Sequence, residues 1–125
     1  MSAEGIEPAA SPYLRWRGDR RALTFTVSWD LHEMYEIDTS GQQPPQPFGL
    51  ADHFTNVDGI EVLDDGALIV SDCVGGQVCL ISADRETVTT LAELESPAEF
   101  GIDRVRGRLY VPQVTENTTA ILELP

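Results

Sequence analysis

The chain contains no lysine: all eight of its cations are arginine, set against 21 Asp and Glu, for a formal charge of −13. So acidic a surface repels a phosphate backbone and excludes nucleic acid as a general partner. It disfavours an anionic membrane surface for the same reason. No apolar run reaches 18 residues, so no helix of this sequence spans a bilayer. CxxC pairs, a nucleophile elbow and a phosphate-binding loop are also missing. The opening residues, MSAEGIEPAASPYLRWR, lack the apolar core of a signal peptide. With Met1 as the true start the expectation is cytoplasmic; upstream sequence would open a secreted or periplasmic location.

What charge there is lies unevenly. Residues 1–21 hold four arginines against three acids, whereas residues 22–125 hold four arginines against 18 acids. The Ala, Glu, Gly, Pro and Ser of residues 1–21 read as a flexible lead-in ending in a first strand. The acidic surface belongs to residues 22–125.

Helical periodicity is scarce, because Gly, Pro and Asp clusters interrupt the chain every 8 to 12 residues. Between them lie β-rich runs at 23–27, 34–37, 59–63, 67–71, 78–82, 87–91, 108–111 and 119–124. Short strands at that spacing point to a sandwich, barrel or propeller. Asp64-Asp65-Gly66 and Gly75-Gly76 read as hairpin turns, since glycine tolerates the positive φ of tight connections. A two-residue turn at Gly75-Gly76 puts Cys73 and Cys79 on opposite sheet faces, and a three-residue loop pairs them directly. Buried free thiols are the expectation.

Self-comparison selects the propeller. DGIEVLDDGALIVSDCVGGQVCLIS returns as FGIDRVRGRLYVPQVTENTTAILEL, matching Gly59 to Gly101, Gly66 to Gly107 and Val70 to Val111. A weaker copy, TFTVSWDLHEMYEID, precedes both. A four-stranded unit recurring about every 42 residues is the mark of a β-propeller blade. The expected fold is all-β, a partial propeller of 2.5 to 3 four-stranded antiparallel blades. That is too few to close a ring, so the chain belongs to a longer propeller or copies associate as a homo-oligomer that completes one.

The phrase VDGIEVLDDGALIVSDCVGGQVCLIS resembles the late blades of the senescence-marker, gluconolactonase and luciferin-regenerating-like six-bladed propellers. The tail SPAEFGIDRVRGRLYVPQVTENTTAILEL resembles that family's closing segment. The resemblance implies a divalent cation (calcium, zinc or manganese) at the mouth of the central channel, polarising a lactone or ester carbonyl of a small-molecule ligand. It assigns Asp58, in Val57-Asp58-Gly59, to the family's Asp-Gly ligand and catalytic position. The family's Asn-Gly step would fall near Ser11–Tyr13, where the sequence reads Ser-Pro-Tyr, and its first-blade Glu would precede Met1. Glu99 falls within one residue of the equivalent point in the next blade, and could share a cation with Asp58. Two functions follow: a metal-dependent hydrolase relative, or a non-catalytic ligand-binding or assembly segment, including a fragment of a longer propeller.

Other polar residues have plainer readings. Asp72, beside the Gly-Gly hairpin, is expected to bond turn amides. Asp52, His53 and Asn56, with Asp58 and Glu61, crowd a loop leading into a strand; a solvated inter-blade loop is the default there, since a zinc-type spacing is missing. Asp30, His32 and Glu33 are expected to be exposed at a hairpin tip. Trp16, Trp29, Tyr35 and Tyr110 read as blade packing ahead of ligand stacking. Gln42–Pro47 reads as a Pro-rich connector.

Overall fold

The computed structural model describes residues 13–16 and 22–125. These form three antiparallel sheets. The first runs β1 (Tyr13–Trp16), β2 (Ala22–Ser28), β3 (Glu33–Asp38) and β4 (Gln46–Pro47). The second runs β5 (Val57–Val62), β6 (Leu68–Asp72), β7 (Gln77–Ile81) and β8 (Val88–Glu93). In the third, β10 (Arg108–Gln113) lies between β9 (Gly101–Asp103) and β11 (Thr118–Glu123). One short 3-10 turn, Ala51–His53, interrupts the strands. Each of the eight runs expected from β-rich composition coincides with a strand, five of them running one residue past an end of it. The first strand, β1, falls inside the expected lead-in; the rest of residues 1–21 lies outside the described residues. The Pro-rich connector contributes β4, a two-residue edge strand facing Tyr35 and Glu36, the place in a sheet that tolerates proline.

The β2–β3, β6–β7 and β10–β11 hairpins share one design. Ser28 pairs with Glu33, Asp72 with Gln77 and Gln113 with Thr118, leaving four residues in each loop. The fourth residue of each has positive φ: His32 at 58°, Gly76 at 70° and Asn117 at 54°. This corrects the short turn expected at Gly75-Gly76. Cys73 therefore lies in the loop, while Cys79 stands opposite Val70 in β7, and both thiols are free. Burial pushes the Cys79 thiol up to about 11, with Asp72 adding to the rise and Thr90 opposing it.

The hairpins also fix the repeat. Asp72 corresponds to Gln113, 41 residues on, whereas Val57 (opposite Asp72) corresponds to Pro97 (opposite Gln113), 40 on. Gly59 sits opposite Ser71, but Gly101 sits opposite Tyr110, two positions further along its strand. The Gly59–Gly101 match of the sequence comparison is thus displaced by the gap between strands.

Side chains alternate between sheet faces, so each sheet has two packing surfaces. Phe25, Val27 and Met34 of the first sheet meet Ile60, Val62, Leu68, Val70, Cys79 and Ile81 of the second. From the other face of the second sheet, Ile69, Val78 and Leu80 meet Phe100, Ile102, Leu109, Val111 and Leu122 of the third. The middle sheet is covered on both sides, which is why all five residues of β6 are buried.

Charges close the same two interfaces. Arg85, in the β7–β8 loop, pairs with the buried Glu36 of β3. Its guanidinium also lies 4.1 Å from the Phe48 ring centre and 5.6 Å from that of Phe25. Arg104 reaches from the third sheet to the Val62 carbonyl at 2.9 Å and to Glu61 at 3.4 Å. At Gly59 an added Cβ would stand 2.9 Å from both Phe100 Cδ1 and Ser71 Oγ. Gly59→Ala is therefore expected to lower stability by about 1–3 kcal/mol through overpacking between the second and third sheets. Urea unfolding checks this, with Gly101→Ala, where an added Cβ meets nothing within 4 Å, as the comparison.

Candidate functional site

The sheets bring Asp58 and Glu99 together. Val57 pairs with Asp72 and Gly59 with Ser71, so Asp58 is the extra residue of a bulge at the start of β5. A bulge of this kind re-aims one side chain and stops regular pairing. By the 40-residue offset the counterpart of Asp58 is Ala98, and Glu99 is the next residue. Burial and the Glu99 charge raise the Asp58 pKa, while a hydrogen bond from the Glu99 backbone amide to its carboxylate opposes the rise. Glu61, further along β5, is also raised by burial and by Glu99, with Arg104 acting against it. Burial, Asp58 and Asp72 raise the Cys73 thiol.

These groups fall short of a metal centre. Among the described residues no three His, Cys, Asp or Glu side chains converge as a ligand set. Two carboxylates supply hard oxygen donors, but three protein ligands were expected. The Ser11–Tyr13 position falls mostly outside the described residues. Two surface grooves, of about 310 and 420 Å³, are lined by neither Asp58 nor Glu99.

Asp72 is fully buried and takes up four donors. The backbone amides of Thr55, Asn56 and Gly75 donate to its carboxylate at 2.9, 2.8 and 3.0 Å, and Gln77 Nε2 donates at 3.1 Å. Glycine at 75 leaves the room, since a Cβ there would lie 2.2 Å from Asp72 Oδ2. Asp72 therefore does bond turn amides, as its position suggested, and it also holds the connector arriving from the first sheet. Asn56 Nδ2 donates to the Trp29 carbonyl and Gln77 Nε2 to the His53 carbonyl, which ties that connector to both hairpins. Asp52 and His53 are exposed and no metal ligand set forms around them among the described residues. The third sheet repeats the arrangement: Gln113 Oε1 accepts from the Glu95 amide at 2.9 Å, two residues before Pro97.

Glu33 corrects an expectation. Asp30 and His32 are exposed at the hairpin tip, but Glu33 is buried. Its carboxylate accepts from the amides of Met34, Gly49 and Leu50 at 3.0, 3.0 and 3.3 Å. Nothing local separates it from Asp30, because two of these amides are 16 and 17 residues away. The one usable signal is the hairpin register, which places Glu33 opposite Ser28 at the end of the ladder. His32 Nδ1 meets the Thr55 carbonyl. Trp29, Tyr35 and Tyr110 are half-buried on or beside strands.

No protein-family model and no curated protein matches the chain. Among solved structures, one titled streptogramin B lyase structure, a β-propeller, aligns with 99% of this chain at a TM-score of 0.58 and 12% identity. The alignment covers 43% of that structure's own chain, so this chain spans less than half its length. At this identity the likeness is one of fold: the three sheets are blades of a partial β-propeller, as the repeat predicted.

The Asp58 carboxyl gives the site its testable signature. Its folded pKa is raised above the ordinary 3.8, so the folded state holds the proton longer than the unfolded state does. The contribution of Asp58 is most favourable below that ordinary value and is lost as pH rises through the raised one. Asp58→Asn is therefore expected to raise Tm at pH 7 and to flatten the pH dependence of Tm in the mildly acidic range. Thermal melts from pH 3.5 to 7.5 check this; an unchanged slope would contradict the rise that burial and Glu99 give the Asp58 carboxyl.

Proposed function

We propose that this chain works by association, as a β-propeller segment that binds and assembles, without hydrolytic activity of its own. The observation that carries this reading is the uneven covering of the sheets. The middle sheet has a sheet against each face; the first and third each have one face with no described sheet against it. Three blades cannot close a ring, and a ring is what gives a propeller a channel in which ligands converge. The acidic surface directs the segment to a protein partner or a small molecule and away from nucleic acid.

A second reading is favoured by the bulge. Asp58 and Glu99 form a like-charged pair at the start of β5 and just ahead of β9, where a cation or a cationic group of a small molecule would relieve their repulsion. Of this pair the gluconolactonase resemblance implies Asp58 alone as the remnant of a metal-dependent lactone or ester hydrolase; Glu99 joins it through the repeat. Two carboxylates do not complete such a centre, and no hydrolytic step is derived from them.

Metal addition separates the two. A site present in 100-fold excess of free cation over Kd adds about 2.7 kcal/mol, which is roughly 10 °C in Tm for a chain of this size. We expect less than about 1 °C from millimolar calcium, manganese or zinc, and no lactone hydrolysis above the blank. A shift of several degrees that Asp58→Asn abolishes would instead establish the cation site.

A further inference from the structure

Every internal contact between sheets joins a forward face to a back face. The forward face of the first sheet carries Phe25, Val27, Met34 and Glu36, and that of the second carries Ile69, Val78 and Leu80. The back faces that receive them carry Leu68, Val70 and Ile81 in the second sheet, and Leu109, Val111 and Leu122 in the third. The hairpin offset of 41 carries Ile69, Val78 and Leu80 to Tyr110, Thr119 and Ile121. The third sheet therefore presents a forward face of its own, with Tyr110 opposite Ile121 and Ile121 60% exposed. At the other end, the offset of 44 between Glu33 and Gln77 makes Thr26, Tyr35 and Ile37 the back face of the first sheet.

We propose that a second copy of this chain covers the Tyr110–Ile121 face of the third sheet with the Tyr35–Ile37 face of its first sheet, head to tail, so that two copies close one ring of six blades. This rests on the assembly reading above and names its partner and surface. The contact continues the two interfaces already within the chain, with a forward face again meeting a back face. Among the described residues one forward and one back face have no sheet against them, and a two-fold axis along the channel satisfies both at once.

Charge also fits. Two chains of −13 repel each other, so a self-contact must be locally neutral. Residues 22–125 contain four arginines, and three of them belong to the β9–β10 hairpin: Arg104 and Arg106 in its loop and Arg108 at the start of β10. Arg106 holds Asp103 at 3.0 Å and Arg108 lies 3.7 Å from Glu123, so both acids of the β9 and β11 ends facing this surface are paired within the sheet. The groove of about 420 Å³ lined by Pro112, Gln113, Val114, Asn117, Thr118 and Thr119 adjoins the same face.

The test is the mass of the full-length chain by light scattering across a concentration series, joined to directed cross-linking. Leu80 and Leu122 share the interface between the second and third sheets. The corresponding pair across the new contact is Ile121 of one copy and Ile37 of the other. Ile121→Cys and Ile37→Cys are made separately with Cys73→Ser; buried Cys79 is left in place. A bis-maleimide spanning roughly 10 Å, the distance between packed sheets, is then added. The expected result is a dimer, with cross-linked product at least tenfold higher in the 1:1 mixture of the two variants than in either alone. Cross-linking of Ile121→Cys with itself, or a mass other than two copies, would overturn the head-to-tail contact while leaving assembly standing. A monodisperse monomer throughout the series would overturn both.

Discussion

The buried Asp72 carboxylate is the constraint on which the arrangement of sheets depends. It ends β6, collects two amides of the connector from the first sheet, one amide of its own hairpin and the Gln77 side chain. Two sheets packed only through apolar faces can slide, because dispersion contacts are non-directional. A carboxylate with four directed bonds cannot. Leaving those donors unpaired would cost about 1–3 kcal/mol each, comparable in sum to the stability of many domains. Gly75 exists in this form because any side chain would occupy the carboxylate's space.

The acidic composition acquires a structural meaning from this. Glu33, Glu36, Asp38 and Asp72 are all buried. Glu33 and Asp72 bind backbone amides, which stabilises a charge without a cation, and Glu36 takes Arg85. At the end of the sheets where β5 begins, carboxylates hold connectors. At the opposite end, Arg85 and Arg104 reach from each sheet to the one before it. Asp58 is the exception: its neighbour Glu99 is a like charge, and burial raises it further.

Much of this was legible in the sequence. Period-two runs and turn residues located the longer strands, and self-similarity gave the blade, because both signals are local or repeat at a fixed distance. Pairing of Asp58 with Glu99 was reachable through the same repeat, since it needed only an offset good to one residue. The short strands β4 and β9 were not legible, as two or three residues carry no periodicity. Loop length at Cys73 was obscured by Gly75-Gly76, which suits both a two-residue turn and the last half of a four-residue one. Glu33 was misread because its partners are supplied by tertiary structure. A hairpin tip looks solvated until the chain that crosses it is placed.

Amide hydrogen exchange at Thr55 and Asn56 tests the central role of Asp72 most directly. Both amides lie in an irregular connector outside any strand, yet both donate to the buried carboxylate. The account predicts that they exchange only through global unfolding, as slowly as amides of β6, and that Asp72→Ala accelerates them selectively before the β6 amides respond. Exchange in the unaltered chain as fast as at the exposed Glu116 tip would contradict it, and the sheets would then be held by apolar packing and the Arg85 and Arg104 contacts without Asp72.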